Sequence, residues 1–70
     1  MNEQEFLSRM KNILDNENIS MDSTLSEIEE WDSLSVVSYI AFANSVFHKN
    51  ISPEKIKTCN SIRDLYTILQ

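Results

Sequence analysis

Hydrophobic positions recur with helical spacing at both ends of the chain. Phe6, Leu7, Met10, Ile13 and Leu14 fall at i, i+1, i+4, i+7 and i+8, one face of a 3.6-residue period, which predicts an amphipathic helix over residues 2 to about 15. Asn2 and Glu5 have the spacing of a capping box, and Asn16 or Asn18 is the expected stop. A second helix is predicted to open at Asp32 or Ser33 and run to about Phe47, with the first-turn N–H groups accepted by the Asp or Ser side chain. Ser52-Pro53 reads as an N-cap followed by proline at the first helical position, opening a short third helix through about Lys57. Asn60 or Ser61 caps a last helix. Asp64 lies three residues after Ser61, and Ile62, Leu65, Tyr66, Ile68 and Leu69 form the apolar face. Residues 16–32 are mostly Ser, Asn, Asp and Glu with isolated apolar residues at Ile19, Met21, Leu25 and Ile28. They fit a solvated connector, or a segment with a helical turn pinned to the core by Leu25 and Ile28. The expected fold is all-α: one domain over 1–70, a small irregular four-helix bundle of three main helices and one short one.

Ten of the fourteen residues from Leu34 to Phe47 are apolar and none is charged, so this helix is expected to be central and covered on most sides. At 100° per residue, Val36, Ile40, Ala43 and Phe47 point one way with Val37 and Tyr39 beside them, and are assigned to the core. Leu34, Ser38, Ala41 and Ser45 form the opposite stripe, with Phe42 at its edge. That uncharged stripe is the expected partner-reading face.

Composition narrows the function classes. The 70 residues include no glycine, which excludes a P-loop and a G-x-G-x-x-G nucleotide fold, both of which need backbone without a Cβ against phosphate. Eleven acids against six bases give a net charge of −5, which argues against nucleic acid and for partners with basic surfaces. The single cysteine, Cys59, has no internal disulfide partner and fits a reducing compartment. Met1 to Glu5 contain no apolar signal segment, and no apolar run is long enough to span a membrane. A cytoplasmic protein is expected.

Few side chains of this sequence do acid, base or metal chemistry in catalysis. The only histidine, His48, lies fifteen residues after Ser33, about 22 Å along a continuous helix against the roughly 3 Å a general base needs. It reads as a cation at a helix end. Cys59 has no neighbouring base and reads as a small buried hydrophobe, and the acids lack calcium-loop spacing. No autonomous enzyme is expected, and no metal site.

Charge is distributed unevenly. Seven of the eleven acids lie between Lys11 and Lys49, an interval without Lys or Arg, and all seven precede Ser33. Glu27, Glu29, Glu30 and Asp32 crowd into the six residues just before it. Acids favour helix starts and polar loops in any case. Here they also set Ser33 at a helix mouth in a concentrated negative field.

Glu30-Trp31-Asp32-Ser33-Leu34, followed by an apolar helix ending at Phe47, resembles the acyl carrier protein family, which includes peptidyl and D-alanyl carriers and centres on an Asp-Ser-Leu motif. The likeness extends over nearly the whole chain: the long acidic loop, the helix after it, Ile51-Ser52-Pro53-Glu54 opening a short helix, and a final amphipathic helix. The resemblance implies that Ser33 receives a 4′-phosphopantetheine arm from coenzyme A, with Asp32 and Leu34 as its motif neighbours. A separate phosphopantetheinyl transferase using a divalent metal would supply the base. The arm's thiol would hold an acyl or aminoacyl group as a thioester, and Cys59 would play no part.

The expected partner surface combines Glu27, Glu29, Glu30 and Trp31 with Leu34, Ser38, Ala41, Phe42 and Ser45. It would be read by the transferase and by acyl-loading and acyl-processing enzymes with basic docking surfaces, the carrier itself being a monomer. Carriers of primary fatty-acid synthesis usually have acids along the second helix and often glycine before the motif. Ser35, Ser38, Ser45 and Trp31 stand here instead. That favours a carrier dedicated to one pathway, such as polyketide, peptide or cell-surface modification. Two alternatives stay open: an aminoacyl or peptidyl carrier, and an unmodified helical adaptor binding through the second helix.

Overall fold

Each helix start is closed by the side chain that local spacing predicts. In the computed structural model, which describes residues 1–70, α1 runs Glu3–Leu14, α2 Ser33–Phe47, α3 Pro53–Lys57 and α4 Ile62–Thr67. Asn2 Oδ1 accepts the Glu5 N–H at 2.9 Å while Glu5 Oε1 accepts the Asn2 N–H at 3.0 Å, a complete capping box. Ser61 and Asp64 form another. The Ser52 hydroxyl caps α3, with Pro53 at the first helical position where no N–H is needed. The four helices form a small all-α bundle without strands, and none is long and apolar enough to cross a membrane.

Two helix ends depend on residues in the left-handed region. Asp15 (φ 51°) closes α1 and His48 (φ 57°) closes α2. Glycine usually takes this role, but the chain has none, so Asp and His accept the steric cost. The end of α1 is therefore Asp15, one residue before the expected Asn16. The stop requires φ > 0 at the cap, and the position of that residue is not visible in hydrophobic periodicity.

The segment from Asp15 to Asp32 is anchored throughout. Ile19, Met21, Leu25 and Ile28 are all buried in the same core as Phe6, Met10 and Leu14 of α1 and Ile62 and Leu65 of α4. A 3₁₀ turn at Leu25–Glu27 lies between two of them. Backbone bonds strap the segment to the entry of α4: Leu25 N–H to the Asn60 carbonyl (2.8 Å), Ile62 N–H to Ser23 (3.2 Å) and Arg63 N–H to Met21 (2.8 Å). Arg63 adds ion pairs to Asp22 and Glu3. Of the two readings of this segment, the pinned turn is the one realised.

The buried face of α2 is rotated from the expected one by about a quarter turn at 3.6 residues per turn. Ser35, Tyr39, Phe42 and Ala43 are buried, while Val36, Ile40 and Phe47 are half-buried at the margin. Val37, assigned to the core margin, is 62% exposed, and Phe42, assigned to the outer edge, is 9% exposed. A helix apolar almost all round has no pattern to fix its phase. Tertiary contacts fix it instead. Phe42 packs on Phe6 (ring centroids 6.0 Å apart), and Tyr39 meets Trp31 edge-on at 6.4 Å. The Tyr39 hydroxyl donates to the Leu65 carbonyl at 2.6 Å, in the last turn of α4 where carbonyls lack intrahelical partners.

Candidate functional site

The start of α2 is built by Asp32 and Ser35, and Ser33 is carried between them. Asp32 Oδ1 accepts the N–H groups of Leu34 and Ser35, each at 3.1 Å. In return the Asp32 N–H donates to Ser35 Oγ at 2.8 Å, and the Ser35 hydroxyl faces the carbonyls of Glu30 (2.9 Å) and Asp32 (3.0 Å). This is a capping box with serine at the position usually held by Glu or Gln. Ser35, read in the sequence only as a polar position of this helix, is 5% exposed and serves as an internal strut. Its signal was present: Asp32 and Ser35 have N-cap to N3 spacing. The hydrogen bonds of this turn leave the Ser33 hydroxyl out, and Ser33 is exposed at the first helical position.

Glu27, Glu29, Glu30 and Asp32 are all exposed around that end of α2. None is neutralised by an ion pair, since both ion pairs of the molecule belong to Arg63 with Glu3 and Asp22. Glu30 is positioned by Asn16, whose side-chain amide donates to it at 3.0 Å. Glu27, Glu29 and Glu30 edge an open hollow of about 320 Å³ whose lining includes no base. The acids that precede Ser33 in sequence are therefore exposed and free of ion pairs.

A second opening lies directly beside Ser33. It is a cleft of about 560 Å³ between the start of α2 and α3, lined by Leu25, Ser26, Trp31, Ser33, Val36, Val37, Pro53, Ile56, Lys57 and Cys59. Trp31, expected on the partner surface, is half-buried and packs its ring on Tyr39 while walling this cleft. Burial pushes the Cys59 thiol above its ordinary range, with the Asp64 carboxylate adding to the effect, so Cys59 is a poor nucleophile. Sequence reasoning missed the contributions of Val37, Pro53 and Lys57, because residues from separate helices meet only in the fold.

The uncharged stripe predicted on α2 is divided. Leu34 is 75% exposed and Val37 stands beside it one turn on, an apolar strip adjoining Ser33. Ala41 and Ser45 are exposed as expected. Phe42 turns inward, where with Ser38, Ala41 and Ser45 it lines a groove of about 330 Å³ against α1. Arg9 lies over the Phe42 ring, 6.0 Å from its centroid. Two glutamates distinguish the faces. Ala41→Glu should melt within roughly 2–4 °C of the parent, since exposed substitutions cost about 0.5 kcal/mol or less. Ala43→Glu, on the fully buried side two residues on, should lose the cooperative melt, because a buried unpaired carboxylate costs several kcal/mol. Circular dichroism melting of the pair checks both. If Ala41→Glu also collapses, that face is core.

Chemically, the arrangement offers an exposed primary hydroxyl with no base to activate it. The only histidine caps the far end of α2. The chain matches no protein-family model, no curated protein and no solved structure.

Proposed function

We propose that this protein is a carrier whose Ser33 receives a 4′-phosphopantetheine arm and presents the attached cargo to partner enzymes. One observation carries the proposal: the hydroxyl of an Asp-Ser-Leu motif is exposed and unengaged at the first position of a firmly capped long helix, preceded in sequence by exposed, unpaired acids. The surroundings fit such an arm. The hydroxyl is free for a phosphodiester, and an apolar-walled cleft opens beside it. When bound, the arm supplies a thiol that holds cargo as a thioester.

The protein's own residues do the rest. Asp32 and Ser35 keep the helix start rigid, so Ser33 is offered in one geometry. Glu27, Glu29 and Glu30 draw in basic docking surfaces and speed encounter without tight binding. Leu34 and Val37 give partners an apolar contact next to the attachment point. The base that deprotonates Ser33 comes from the transferase, and the carrier performs no catalysis. A dedicated pathway, a cytoplasmic setting suited to a free thiol and a monomeric state belong to the same proposal.

Exposure of Leu34 and Val37 also favours a second reading, an adaptor that binds through this strip and never receives an arm. Incubation with a phosphopantetheinyl transferase, coenzyme A and magnesium separates the two. The carrier gains the mass of one arm, mapped to the Ser33 peptide. The rate falls as salt screens exposed charges over about 8–10 Å, and falls again when Glu27, Glu29 and Glu30 are changed together to Gln. No mass gain with several transferases leaves the adaptor. A rate indifferent to salt and to the glutamines removes the acids from recognition.

A further inference from the structure

The cleft beside Ser33 is uneven in charge. Trp31, Val36, Val37, Pro53 and Ile56 give it apolar walls, and among its ten lining residues one is charged, Lys57. No carboxylate lines it, although the neighbouring surface is dense with acids. Lys57 is exposed, and neither ion pair of the molecule engages it, Glu54 on the same helix included. It sits at the end of α3, where its stem can lie along apolar wall while the ammonium stays wet.

We infer that this cleft selects cargo that is apolar along its length and carries a carboxylate at its end, with Lys57 reading the carboxylate and turning away an ammonium. The inference deepens the carrier reading and rests on it for its biological meaning. A tail tethered at Ser33 and laid against the apolar walls lies in a cleft whose one charged lining residue is a cation. An ammonium there meets like charge and no lining carboxylate; a carboxylate meets an unpaired partner. Lys57 is thus a specificity determinant, and acyl groups bearing a carboxylate are preferred over aminoacyl groups.

The charge preference is testable without the transferase. In a Ser33→Cys, Cys59→Ala chain, the introduced thiol is alkylated with tethers of equal length ending in methyl, carboxylate or trimethylammonium. Cys59→Val is a second background should the alanine chain lose helicity. Trp31, the only tryptophan, reports seating of the tail by protection from acrylamide quenching. The carboxylate tail should be seated about two- to fivefold more than the ammonium tail, the size of a partly exposed charge pair. That ratio should fall to about one in Lys57→Gln and persist in Lys55→Gln, whose side chain does not line the cleft. Equal protection by all three tails overturns the inference, as does a carboxylate preference that survives Lys57→Gln or is lost equally in Lys55→Gln. The carrier reading is decided separately, by mass gain at native Ser33.

Discussion

The Ser33→Ala chain is expected to gain no arm and to melt within a few degrees of the parent, while Ser35→Ala gains the arm and melts roughly 5–15 °C lower. The two serines stand two residues apart in one helical turn and are used in opposite ways. Ser33 is exposed and outside the hydrogen-bond network, so its loss removes a reactive oxygen and little stability. Ser35 is buried, accepts the Asp32 N–H and satisfies a loop carbonyl. Its loss opens a capping box and strands a donor, at about 1–2 kcal/mol, and a domain of this size loses about 4–8 °C per kcal/mol. Intact mass after transferase treatment and circular dichroism melting, both on both variants, give four readings. An arm on the Ser33→Ala chain, or unchanged melting for Ser35→Ala, contradicts the division of labour.

Alkaline unfolding is the second large effect. Burial, with a smaller contribution from the neighbouring Cys59, holds the Tyr39 phenol proton well beyond its ordinary range. The Cys59 thiol is shifted the same way, chiefly by burial. In both groups the folded chain keeps a proton that the unfolded chain gives up. Their contribution is therefore complete below the unfolded values, about 8.5 for Cys and 10 for Tyr, and is lost as pH rises toward the folded ones. Above pH 10, Tyr39 alone takes away up to about 1.4 kcal/mol per pH unit. A chain of 70 residues has roughly 4–10 kcal/mol in all, so one to two units remove a large share. Thermal melts from pH 7 to 11 should fall steeply past 10. Tyr39→Phe should start lower at neutral pH, having lost the cap on the Leu65 carbonyl, and decline less steeply past 10. Parallel decline of the two chains would show that Tyr39 does not carry the effect.

What could be read from the chain follows the range of the forces involved. Asn2 with Glu5, Ser61 with Asp64, and Ser52 with Pro53 are local chemistry completed within four residues, and each helix start came where those pairs place it. The Asp32-Ser33 start of α2 was legible for the same reason. The phase of α2 was not: with ten apolar residues in fourteen, burial depends on what the rest of the chain supplies, and the Phe6 and Trp31 rings and the Leu65 carbonyl decide it. The acids that precede Ser33 were visible as a run in the sequence, and charged side chains of such a run stay exposed in the fold. The cleft was invisible, since Trp31, Val37 and Lys57 come to line one opening only in the folded chain.

The strap between residues 21–25 and the entry of α4 gives the molecule an order of assembly. Ser33 leaves the ribosome nearly thirty residues before Asn60, Ile62 and Arg63, which hold the preceding segment in place. Until those later residues are synthesised and docked, the Met21 and Ser23 carbonyls and the Leu25 N–H lack their long-range backbone partners, and Glu27, Glu29 and Glu30 hang on a segment without its strap. Contacts so distant in sequence form late. The acidic stretch before Ser33 is therefore strapped down only once residues 60–63 have been translated, and a chain cut before them carries Ser33 behind a segment that lacks this anchor.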